Sequence, residues 1–230
     1  MSISTFAELK SSIADFLNRS DLTAVIPSFI SLAEAQINRD VRHWRMDKIT
    51  AVTTNAGVAE TVLPDNYLET NSVTWTFDSG HPKSLNFVTN KVFAERKYNA
   101  QGTLGTPEIF SFKNNANVPA HFIQILPAPS SSGFVTIDYM ERVPALSDST
   151  TTNWLLSEAP DIYLYGSLLH AAPYLQDDER INVWAQLYGA AVKQLNESSE
   201  KGKFSPDSLG MRKLGLDTSR SKRANHVRWS

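Results

Sequence analysis

The chain has 230 residues, 41% of them hydrophobic, with 22 Lys/Arg against 24 Asp/Glu and no cysteine. That length supports one large or two small cores, and the missing cysteine excludes disulfides, thiolate zinc sites and a cysteine nucleophile. The net charge of −2 excludes a general polyanion binder, but it is unevenly spread: residues 1–200 carry 14 Lys/Arg against 22 Asp/Glu, while residues 201–230 carry eight against two.

The opening residues lack the basic-then-apolar pattern of a signal peptide, and the longest largely apolar, charge-free run, Ile162–Tyr174, is too short to span a bilayer. The expectation is a soluble chain made in a cytosol. Thr5 and Glu8 form a capping-box pattern, after which Phe6, Leu9, Ile13, Phe16 and Leu17 share one face of a helix over about 5–19. Ile26, Ile30, Ala33, Ile37, Val41 and Trp44 predict a second helix from about Pro27 to Arg45.

From Lys48 the period shortens. Val73, Trp75 and Phe77 alternate as in a half-buried strand, and the turn cluster 78–82 predicts a hairpin-like pair with Lys83–Val88. A short helix over Asn90–Asn99 and strands over Ile109–Phe112, His121–Leu126 and Phe134–Tyr139 complete a β-rich middle.

Helices return after a Ser/Thr-rich linker. Ser157 reads as an N-cap, with Ile162, Tyr165, Leu168, Leu169 and Ala172 as the buried stripe and Pro173 as bend or end. Asp177 or Asp178 caps a last helix whose seam is Ile181, Trp184, Tyr188, Ala191 and Leu195. The expected fold is α+β: a four-helix bundle from the N- and C-terminal helix pairs, a small inserted antiparallel β domain and an extended C-terminal tail. The boundaries are 1–46 for the first helices, 47–146 for the β insertion, 147–197 for the last helices and 198–230 for a basic arm.

No catalytic spacing stands out. His43, His81, His121, His170 and His226 are scattered without helical metal-ligand spacing, Asp177-Asp178-Glu179 and Glu158/Asp161 suit helix ends, and Gly102–Gly105 lacks a following basic helix. The expectation is no enzyme, no cofactor and no metal. The tail admits three readings: a solvated terminus, a nucleic-acid arm, or a strap docked on a partner protein through apolar anchors and basic residues. Tyr163, Trp184 and Tyr188 suit either core or an interface between subunits.

The stretch Asn153–Gly166, its continuation Ala171–Arg180 and Trp184, the segment Ala33–Asp40 and the strand entry Thr61–Leu68 together resemble the bacteriophage head-to-tail adaptor (connector, tail accessory) family. The resemblance implies a structural virion protein at the neck, assembled in the host cytoplasm as a dodecameric ring beneath the portal. Its expected partners are other copies of itself, the portal, a tail or nozzle protein, and genomic DNA passing through the lumen without sequence-specific contact; no membrane is expected. Phe204, Leu209, Arg212, Leu214, Leu216, Arg220, Lys222, Arg223, Arg228 and Trp229 are the expected portal-binding arm, and Tyr163, Trp184 and Tyr188 the subunit interface. The alternatives are a tail-associated peptidoglycan hydrolase using Glu158, or a nucleic-acid-binding protein using the basic arm.

Overall fold

The computed structural model describes residues 3–19, 21–77, 80–114, 121–175 and 179–203. Helix α1 (Phe6–Leu17) opens on the expected capping box: Thr5 Oγ1 accepts from the Glu8 amide at 3.2 Å, and the Glu8 carboxylate accepts from the Thr5 amide at 3.1 Å. Helix α2 (Ile26–Asp40) stops before the expected Arg45. Val41 turns to extended backbone, and the Arg42 guanidinium donates to the carbonyls of Asn38 (3.1 Å) and Val41 (2.7 Å). A cation on those last carbonyls is a favourable helix stop.

A 3₁₀ turn, Trp44–Met46, leads into the strands β1 (Asp47–Thr54), β2 (Glu60–Val62), β3 (Tyr67–Phe77), β4 (Lys83–Ser84) and β5 (Asn86–Phe87). After helix α3 (Asn90–Ala100) come β6 (Leu104–Gly105), β7 (Ile109–Asn114), β8 (His121–Leu126), β9 (Ala128–Pro129) and β10 (Gly133–Glu141). Helices α4 (Trp154–Glu158), α5 (Pro160–His170) and α6 (Arg180–Lys203) follow. Asn153, not Ser157, is the cap: its side chain accepts from the Leu156 amide at 2.8 Å, while the Ser157 hydroxyl donates back to the Asn153 carbonyl. Pro160 then disfavours helical backbone at Ala159, which separates α4 from α5.

The strands form a sheet in the order β1-β10-β3-β4, a second in the order β2-β8-β7-β5, and a small pair, β6-β9. Val73, Trp75, Phe110, Ile123, Ile125, Val135, Ile137 and Tyr139 fill the core shared by the two larger sheets. Gly133 is required here, because a Cβ would collide with the Thr76 carbonyl oxygen and the Trp75 indole. The other main core joins α1, α2, α4, α5 and α6, and it also takes in Met46, Met140, Val143 and Leu146.

These facts overturn the four-helix bundle with a small inserted antiparallel β domain. The described residues hold six helices and three sheets, and the β component is large. It is not wholly antiparallel, since β5 pairs with β7 and β6 with β9 in parallel. Nor do the cores separate cleanly: on β10, Tyr139 enters the inter-sheet core and the next residue, Met140, the helical one. Period-2 alternation explains this, because adjacent strand residues face opposite ways.

Candidate interaction surfaces

Helix α5 runs through the middle of the helical part and is buried at Ile162, Tyr163, Leu164, Gly166, Ser167 and Leu168. Gly166 lets α2 and α6 close over it: a Cβ there would lie 3.2 Å from the Tyr188 ring and 3.4 Å from the Ala33 methyl. The three aromatic residues expected at a subunit interface are part of this closure. Tyr163 is 0% exposed, and Trp184 and Tyr188 are 5% exposed.

Their polar atoms are used within the chain. The Asn153 amide donates to the Tyr163 hydroxyl (2.7 Å) and to the Pro144 carbonyl (2.7 Å). The Tyr188 hydroxyl donates to Asp40 Oδ2 at 2.9 Å, and Arg180 lies over the Trp184 ring, 5.2 Å from its centroid. Burial pushes the Tyr163 hydroxyl up; burial, reinforced by neighbouring Asp40, does the same to Tyr188. Both phenols are structural donors or acceptors, neutral throughout the physiological range.

The link from β10 back to α4 is held by α2. Asn38 Oδ1 accepts from the Val143 amide at 2.9 Å, and Glu34 Oε1 accepts from the Leu146 amide at 2.6 Å. Burial raises the Glu34 carboxyl, with the Leu146 amide opposing the shift. Arg42 pairs with Glu69 at 3.3 Å, Lys48 with Glu141 at 3.4 Å, and Arg45 with Glu158 at 3.3 Å. Glu158, considered as a hydrolase acid, is thus engaged by Arg45, while Asp161 Oδ1 accepts from the Ile162 amide.

The described histidines gather into no cluster. His43 is buried, accepts from the Arg45 amide through Nδ1 and stacks on Trp154; His121 bonds Asn114; His170 is shifted downward by burial and by Arg39. Among the described residues, no group of three or more His, Asp or Glu side chains is placed to hold a metal ion. His226, Asp177, Asp178 and all ten arm residues from Phe204 to Trp229 lie outside the described residues.

What remains is surface. Leu32 on α2 is 51% exposed, and Val183 and Leu187 on α6 are 53% and 40% exposed. On α2 the exposed positions before Arg39 are Pro27, Ser28, Ser31, Leu32 and Ala35, none of them charged. On α6 the whole run 181–196 holds one charged residue, Lys193. By contrast α3 has four charged residues in eleven, and α1 exposes Glu8 and Asp15. Sequence reasoning weighed the charges that are present and passed over these two stretches, although a scan for their absence would have found both.

Among the described residues, no helix is long and apolar enough to cross a membrane. The comparison with curated proteins gives no match. The model of the SU10 adaptor protein family matches residues 4–209, which takes in both larger cores and every helix described above. In keeping with the resemblance to phage head-to-tail adaptors, the chain belongs to the SU10 adaptor protein family.

Proposed function

We propose that this chain is the structural adaptor of a phage neck: a ring subunit that sits beneath the portal, extends the DNA channel and offers a seat to the tail. The observation that carries the reading is the family match across residues 4–209. The geometry agrees with it, since the conspicuous side chains are spent on packing and on fastening one element to the next. An acidic body, net −8 over residues 1–200, suits a lumen along which DNA must slide without sticking. In this reading the ring is dodecameric, and the basic arm straps the portal with Phe204 and Leu209 first. Eight of the ten arm residues, Arg212 to Trp229, fall beyond the matched residues.

The arm is tested by ending the chain after Lys203. An earlier stop, near Asn196, would remove the last two turns of α6, including the buried Ser199 that accepts from the Trp44 amide. Retention of the shortened chain on purified portal rings is expected to fall by about tenfold or more, as for loss of a cluster of anchors. Equal retention of the two chains rejects the strap.

A further inference from the structure

We infer that the outer edge of β1 is a docking strip for the chain's own C-terminal arm, which adds a strand there through residues 208–216. The argument starts from the edges of the two larger sheets. β4, β2 and β5 end them with two or three residues each, too short to template another strand. β1 is different: it runs for eight residues, pairs with β10 in unbroken register on one side, and among the described residues no strand pairs with its other side.

In an antiparallel pair every second residue turns its N–H and C=O away from the partner, so about half of β1 offers a free backbone ladder. The side chains along it do nothing to guard it. From Ile49 to Thr54 there is no charge, proline or glycine, and five of the six residues are β-branched. Ile49 is 74% exposed, and Val52 on the opposite face is only partly covered. Such an edge invites a further strand.

The occupant follows from where α6 ends. Ser199 Oγ accepts from the Trp44 amide at 2.8 Å, and a Cβ at Gly202 would lie 3.5 Å from the Trp44 indole nitrogen. Trp44 opens the turn that enters β1 at Asp47, so the chain leaves α6 at Lys203 beside the entrance to the open edge. Residues 204–230 then remain, whereas the eight residues of β1 span about 27 Å, which nine extended residues match. Pro206 cannot donate to a ladder, and the stretch after it, 208–216, brings Leu209, Met211, Leu214 and Leu216. As a strand it would put Leu209 and Met211 on one face and Leu214 and Leu216 on the other, an apolar pair beside Ile49 and another beside Val52. The pairing concerns the free chain and does not rest on the adaptor reading; a portal that takes the arm would have to draw it off this edge.

The absence of cysteine makes a clean test by cross-linking in the full-length chain. Ala51→Cys, on the exposed face of β1, is combined with single cysteines walked through 208–216, Arg212→Cys among them. Oxidation is expected to cross-link the monomer at alternate arm positions, because only side chains on the Ala51 face come within disulfide reach. Tyr98→Cys, 82% exposed on α3, should give no such pattern with the same arm cysteines. No cross-link within the monomer, a flat pattern without alternation, cross-links between chains only, or equal yields from Tyr98→Cys would each overturn the pairing.

Residue-resolved hydrogen exchange gives a second reading. Met211→Pro with Leu214→Pro removes two ladder donors from the arm. About half of the β1 amides should then exchange about tenfold or more faster, while those bonded to β10 keep their protection. Exchange identical to the parent's would also overturn it. Portal retention is not involved in either readout and judges the adaptor reading separately.

Discussion

The helical core and the inter-sheet core of this chain are built differently. Leucine and isoleucine dominate the first, with Leu9, Ile13, Ile26, Ile30, Ile37 and Leu155 at 1% exposure or less. The second is tied by rings: Trp75 meets Phe77 edge-on at 5.8 Å, and Tyr67, Phe87, Phe110 and Phe112 contact one another at 5.6–6.0 Å. Helices give each residue a choice of aliphatic neighbours at three- and four-residue spacing, while paired strands bring large flat side chains into register. The difference extends outward: helix α3, beside the sheets, has four charged residues in eleven, whereas α2 exposes none before Arg39 and α6 holds one, Lys193, over residues 181–196.

Trp75→Ala is the most severe way to separate the two cores. The indole is fully buried, and its removal is expected to cost about 3–5 kcal/mol. Because β10 feeds both cores through Tyr139 and Met140, urea unfolding followed by near- and far-UV circular dichroism should shift as one transition. Helices that outlast the sheets would show the cores to be independent.

Asn153→Ala tests the polar fastening of the helical side. It removes the α4 cap and leaves the buried Tyr163 hydroxyl and the Pro144 carbonyl without their donor, an expected loss of about 2–3 kcal/mol in chemical denaturation. A loss below about 0.5 kcal/mol, the range of neutral surface changes, would mean that packing alone holds this end.

Glu34 yields a smaller, pH-dependent effect. Its folded carboxyl is raised by burial above the ordinary value of 4.5. Below that value both states are protonated and the residue is neutral to stability. As pH rises from 4.5 through the raised folded value, the unfolded chain ionises first and the folded state is progressively disfavoured. Glu34→Gln retains the acceptor for Leu146 and removes this dependence. The variant should therefore match the parent near pH 4 and melt higher at pH 7; a difference that does not change with pH contradicts the assignment. Smallest of all is Lys10→Ala, which breaks a pair with the 91%-exposed Asp148 side chain and should move stability by no more than about 0.5 kcal/mol.

The helices were legible because each advertises its inward face locally. The Thr5–Glu8 cap, the α2 stripe from Ile26 to Ile37 and the α6 seam through Trp184, Tyr188 and Leu195 appear where spacing put them, while Trp44, expected on the α2 stripe, lies beyond the helix and is exposed. The stop of α2 at Asp40 was not legible, since a guanidinium two residues beyond closes the helix. Neither were β6 and β9, each two residues long, for no period can be read from a pair; of the expected strand Lys83–Val88, β4 pairs with β3 as the hairpin reading has it, but β5 leaves to pair with β7. Tyr163, Trp184 and Tyr188, open between core and a subunit interface, could not be assigned from the pattern, because a second aromatic beside a buried stripe shows only that the helix has neighbours. Here those neighbours lie within the chain.

The sequence by itself determined the helical faces, the β-rich middle, the division between an acidic body and a basic end, and the family resemblance. These depend on residues near one another in the chain or on totals along it. Only the tertiary structure decided that two parallel strand pairs break the antiparallel pattern, that Met140 joins sheet to helices, and that Gly166 brings α2 and α6 onto α5. Such facts are set by which distant segments meet, and local periodicity is the same for every partner a face could choose. Leu32, Val183 and Leu187 show both at once: their identities were visible in the sequence, but only the packing of α2 and α6 on α5 shows that they are left exposed.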